Sequence, residues 1–87
     1  MPSVYTVTIK GSALKALHKL PKLAAMQISG CINGLSANPR PVGCKKLKGP
    51  NNLYRVRSGD FRIVYEIHDG RLIVLVVKVG HRKDVYQ

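Results

Sequence analysis

Acidic residues are what this sequence lacks most. Four Asp and Glu stand against 15 Lys and Arg, and none of the four precedes Asp60. Residues 1–59 therefore carry ten basic side chains and no carboxylate, and the whole chain has a formal net charge of +11. Such a chain repels itself and is drawn to polyanions, which points to a nucleic acid or to an acidic protein that neutralises it. Trp is absent and Phe occurs once, so a basic amphipathic helix lying on a bilayer, with so little to anchor it, is the weaker third choice. The longest apolar run, Leu72 to Val77, falls far short of the roughly 20 residues a membrane helix needs. No basic stretch followed by a long apolar segment opens the chain, so a cytoplasmic protein without membrane contact is expected. Cysteine is also scarce. A secreted domain this small would be stapled by disulfides, so Cys31 and Cys44 read as reduced, with Cys31 a small hydrophobe on a helix. Three scattered His and four scattered acids show no metal-ligand spacing, and no cofactor is expected.

What is present fits a single globular domain over residues 1–87, with 45% apolar residues and no internal repeat or linker. "VYTVTIK" (4–10) alternates apolar and polar residues and predicts a strand. Gly11 ends it, and Ser12 is placed to cap a short helix from Ala13 to about Leu20. Pro21 suits the first turn of a second helix, Lys22 to about Ala37, because that turn leaves N–H groups unbonded anyway. Ala24, Ile28, Cys31, Ile32 and Leu35 make its apolar stripe. Gly30 and Gly34 weaken it by roughly 1 kcal/mol each relative to Ala, and Asn38-Pro39 ends it.

A basic loop, residues 40–52, leads to three strands in quick succession: 53–57, 61–68 and 71–80. "SGD" forms the first turn, and Asp69-Gly70 reads as a two-residue hairpin. The order β-α-α-β-β-β gives an α+β domain, with an antiparallel sheet packed on two N-terminal helices.

Alternation then sorts the side chains. Arg55 and Arg57 project together, and Arg62 shares a face with Val64 and Glu66, opposite Phe61, Ile63, Tyr65 and Ile67. The second set suits a helix-covered core, which leaves the three arginines on the open face. Lys78 has the parity of Val74 and Val76, and His81 that of Ile73, Leu75, Val77 and Val79. Basic strand positions also serve as solvated edge protection. Three arginines on adjacent strands, with only Glu66 among them, point instead to an anion site, flanked by Lys45, Lys46 and Lys48 from the loop and by Lys78 and Lys83 toward the C-terminus.

"LKGPNNLYRVRSGDFRIVYEI" followed by "VGHRKDVY" resembles the RelE/ParE superfamily of bacterial toxins, closest to its RelE branch. The resemblance spans Leu47 to Tyr86, and the β-α-α beginning is compatible with it. It implies the RelE-like microbial-RNase-type fold and an endoribonuclease that cuts ribosome-bound mRNA, stopping translation and growth. It also implies a cognate antitoxin, for which the charge predicts an acidic segment, and a higher-order toxin–antitoxin complex that binds operator DNA through the antitoxin. Arg55 and Arg57 fall on the basic pair of the second strand, where RelE-type enzymes commonly carry lysines. Arg62 falls on the phosphate-clamping arginine, Arg82 on the C-terminal arginine and Tyr86 on the terminal tyrosine that stacks on a base.

RNA can be cut without a metal when its own 2′-OH attacks the neighbouring phosphorus, and fixed guanidinium groups suit the charge gathering on the phosphoryl oxygens. Arg57, Arg62 and Arg82 are the residues for that task. A guanidinium holds its proton too firmly to act as base, so His81 is the titrating candidate. Lys46 and Lys48 are alternatives; a strand-capping His81 without chemistry is the plain one. Tyr86 either stacks on a nucleotide, a contact worth about 1–3 kcal/mol, or folds onto the core edge. Two rival functions remain: a ParE-type gyrase inhibitor, and a nucleic-acid-binding module without catalysis.

Overall fold

The computed structural model describes residues 4–47, 49 and 52–81. Arg82, Lys83 and Tyr86, together with Lys48, lie outside the described residues. Strand β1 (Thr6–Ile9) is followed by helices α1 (Gly11–His18) and α2 (Lys22–Gly34), a two-residue strand β2 (Lys45–Lys46), and strands β3 (Leu53–Ser58), β4 (Phe61–His68) and β5 (Ile73–His81). The sheet order is β1-β5-β4-β3-β2. The expected meander is present, with β4 antiparallel to both β3 and β5. β1 joins it parallel to β5, so the sheet is mixed.

Helix α1 begins two residues earlier than Ser12 capping predicts, with Lys10 at its N-cap and no side-chain cap bond. Ala13 and Leu17, one turn apart, bury its inner face. Lys15 and His18 occupy its last turn, where the helix dipole favours cations. Pro21 stands one position before α2 as its N-cap, and its carbonyl accepts the Ala25 N–H at 2.9 Å. α2 ends at Gly34, ahead of the expected Ala37, but Leu35 still packs in the core. Against the helices lie Tyr54 and Val56 of β3, Ile63, Tyr65 and Ile67 of β4, and Val74, Val76 and Val79 of β5. Tyr54 and Tyr65 stack with ring centroids 6.1 Å apart.

Ser58 pairs with Phe61 across Gly59-Asp60, and the positive φ of Gly59 (+62°) is what a two-residue hairpin with glycine first requires. The second hairpin departs from expectation. Asp69–Arg71 form a single 3₁₀ turn, Leu72 adopts a left-handed conformation (φ 53°), and the strand resumes only at Ile73. Asp69 is held by side chains outside the hairpin, described below, and the Leu72 carbonyl accepts the Thr6 N–H at 2.8 Å. Those bonds make the connection four residues long. Among the described residues no helix is long and apolar enough to cross a membrane.

Candidate functional site

Strand register assembles the basic face. Arg57 stands opposite Arg62, and Arg62 in turn stands opposite Gly80. Two residues along, Arg55 faces Val64, Val64 faces Lys78, and Lys45 faces Arg55 from the edge strand. Directly opposed residues lie about 5 Å apart on the same side of a sheet. Lys45, Arg55, Arg57, Arg62 and Lys78 thus share the surface turned away from the helices. Glu66, the one carboxylate there among the described residues, lies 2.8 Å from His68 on the same strand.

Lys78 reaches this face by an irregularity. Tyr65 pairs with Val76 but Val64 pairs with Lys78, so Val77 is an extra residue in β5. A bulge of this kind reverses the alternation beyond it. Val74 and Val76 point to the core, Val79 does so again after the bulge, and Lys78 is turned outward. By simple alternation Lys78 would have followed Val74 and Val76 inward.

The same bulge redirects His81. It pairs with Phe61 on the helix side, and its ring meets that of Phe61 edge-on, with centroids 5.8 Å apart. The structure thus places His81 against an aromatic ring on the other side of the sheet from Arg57 and Arg62. Lys46 is exposed, opposite Tyr54, and so has the opposite parity to Lys45.

The arginines differ in depth. Arg57 is exposed, Arg55 half-buried, and Arg62 only 2% exposed on the middle strand of the five. The open-face position expected for Arg62 is therefore correct in direction but not in exposure. A buried guanidinium gives up conformational freedom at folding, not at binding, which is the preorganisation an anion site needs.

A second polar cluster, at the opposite end of β4 from Arg62, is not apparent in the linear sequence. The Arg40 guanidinium grips both Asp69 carboxylate oxygens, at 2.8 and 3.2 Å, and donates to the Tyr54 hydroxyl at 3.3 Å. Tyr5 donates to Asp69 Oδ1 at 2.6 Å. Bonds from Arg40 and then Tyr5 pull the Asp69 carboxyl down to about 2, and the same contact raises Arg40 above its usual range. Tyr5 is raised, mainly by its bond to Asp69. Burial raises the Tyr65 phenol, and Cys44 adds to the effect; the phenol donates to the Pro39 carbonyl at 2.7 Å. Burial likewise raises Cys31. No local pattern signals the cluster, because Tyr5, Arg40 and Asp69 lie far apart along the chain.

Comparison with known proteins places this arrangement. A family model described as the ParE toxin of type II toxin–antitoxin system, parDE, matches residues 7–86. Toxin RelG of Mycobacterium tuberculosis is 32% identical over 84 residues, covering 95% of this chain and 97% of that protein. The mRNA interferase toxin RelE of Escherichia coli K12 is 30% identical over 81 residues, covering 91% of this chain and 84% of that one. Among solved structures, the toxin–antitoxin complex RelBE2 of M. tuberculosis contains a chain that superposes with a TM-score of 0.82 at 30% identity, covering 94% of this chain and 95% of that one. The chain belongs to the RelE/ParE superfamily of type II toxin–antitoxin toxins. Within that superfamily it is a toxin of the RelE branch.

Proposed function

We propose that this toxin is an endoribonuclease that cuts mRNA on the ribosome, without a metal, and so arrests translation and growth. The observation that carries the reading is the opposition of Arg57 and Arg62 on a face that also holds Arg55, Lys45 and Lys78. Placing like charges opposite one another destabilises a sheet, and a phosphate lying between them reverses that penalty. The name of the E. coli relative, mRNA interferase, supports the same reading.

In this mechanism the RNA backbone runs along Lys45, Arg55 and Lys78 and presents one phosphate to Arg57 and Arg62. The 2′-oxygen attacks that phosphorus and gives up its proton to solvent water as the bond forms. The bond from phosphorus to the 5′-oxygen breaks, and that oxygen takes up a proton from solvent water. The products are a 2′,3′-cyclic phosphate and a 5′-hydroxyl. Arg57 and Arg62 stabilise the charge on the non-bridging oxygens, where one such donor is typically worth about 10²–10³ in rate. Arg82 and Tyr86 join this site by resemblance, as charge stabiliser and stacking ring, with Lys48 and Lys83 on the backbone track. His81 stands against Phe61 on the other side of the sheet and takes no part in this mechanism. A cognate antitoxin with an acidic segment masks the basic face, and a higher-order complex meets operator DNA through that antitoxin. The solved relatives held in toxin–antitoxin complexes support such a partner.

Primer extension on a defined message, with purified ribosomes and toxin, tests this reading. Cleavage of ribosome-bound message by the parent and none by Arg57→Ala is the expected result. Equal cutting by both proteins would remove Arg57 from the site. The matched family model, described as a ParE toxin, favours a second reading, inhibition of DNA gyrase. DNA damage with intact message on induction would select it.

A further inference from the structure

Lys45 is delivered to the arginine face by a strand too short to fix itself. β2 has two residues and pairs only with β3, at the edge of the sheet. So brief a ladder supplies few bonds to set register. The preceding segment is tied down at three points instead. The Pro39 carbonyl accepts the Tyr65 hydroxyl at 2.7 Å. Arg40 is forked onto Asp69, with the Tyr54 ring centroid 5.1 Å from its guanidinium carbon. Cys44 N–H then donates to the Pro41 carbonyl at 3.0 Å, closing a turn whose third residue, Gly43, has the positive φ (+91°) of a type II turn. Lys45 follows that turn directly. Beyond Lys45 the Leu47 N–H donates to the Leu53 carbonyl at 2.9 Å, so the arm before it and this bond after it together set its placement opposite Arg55.

We infer that Asp69 and Arg40 are positioning residues for RNA binding: their clasp fixes the 39–44 arm and thereby holds Lys45 beside Arg55 on the phosphate track. Asp69 touches no reacting group and acts only through Arg40, while the Tyr5 hydroxyl orients the carboxylate. Loosening the clasp frees the arm, and the ammonium group is no longer held where a phosphate passes. This inference rests on the RNA-binding face proposed above.

The test is a fluorescence titration of a short oligoribonucleotide, 2′-O-methylated so that it cannot be cut, across a series of KCl concentrations. The parent, Asp69→Asn, Lys45→Gln and the double variant are compared. Each phosphate contact contributes about 0.7 to the slope of log affinity against log salt for a single strand. Asp69→Asn and Lys45→Gln are each expected to lower that slope by about 0.7 and to weaken binding several-fold. The double variant should bind no worse than Lys45→Gln alone, since both remove one contact. Exchanging the charges, Arg40→Asp with Asp69→Arg, should restore the slope. If Asp69→Asn does not fold, Arg40→Lys, which keeps the charge and loses the fork, is measured the same way. A lower melting temperature with the parental slope, or losses that add in the double variant, would overturn the inference and leave the RNA face standing. A parent that shows no salt-dependent binding would overturn both.

Discussion

Arg57 and Arg62 face each other directly across β3 and β4, the first exposed and the second almost wholly enclosed. Selection for stability alone would separate them, because like charges opposite one another weaken a sheet. Arg57→Gln is accordingly expected to leave the melting temperature unchanged or higher while cleavage falls by about 10²–10³. Thermal melts and single-turnover cleavage check the two halves separately. A variant that is both active and less stable would show that Arg57 serves the fold.

The Asp69 carboxyl is held at about 2, against an ordinary 3.8, by Arg40 and Tyr5. A depressed folded-state value means that the clasp contributes stability above about pH 4 and loses it as the pH falls through about 2. Carbon-detected NMR titration of the side-chain carboxyls should show one resonance titrating near 2, and that resonance should be missing in Asp69→Asn. Titration of Asp69 at an ordinary carboxylate value would mean the clasp is open in solution.

Gly30 is exposed within α2, and a Cβ built there meets nothing within 4 Å. Gly30→Ala should stabilise the protein by about 0.5–1 kcal/mol, by restricting the unfolded chain and favouring the helix. Urea denaturation measures it. A destabilised variant would reveal a close neighbour at that position.

Lys78 and Lys46 are both exposed lysines on strands, yet the bulge at Val77 turns Lys78 onto the arginine face whereas Lys46 sits opposite Tyr54. Lys78→Gln should lower the salt slope of single-stranded RNA binding by about 0.7, and Lys46→Gln should leave it unchanged. Equal effects would mean that bulk charge, not placement on a face, governs binding.

Alternation carried the sequence reading a long way. It puts Phe61, Ile63, Tyr65 and Ile67 on the core side and Arg55, Arg57 and Arg62 on the opposite face, as the strand register has them. It broke down where the backbone departs from period two. One extra residue at Val77 exchanged the faces of Lys78 and His81, and no residue type there announces a bulge. The pairing of β1 with β5 joins chain segments more than 60 positions apart, which local pattern cannot register. Asp69 and Gly70 fit a tight hairpin by turn chemistry, but bonds from Tyr5 and Arg40 outweighed that local preference.

The most direct measurement is a map of message 5′ ends in cells after brief induction of the parent, Arg57→Ala and Arg62→Ala. New ends inside translated reading frames are expected for the parent and none for either variant, with all three proteins folded and equally abundant. Growth arrest by the parent with no new ends would contradict the proposed mechanism, as would the same ends from variants lacking either arginine.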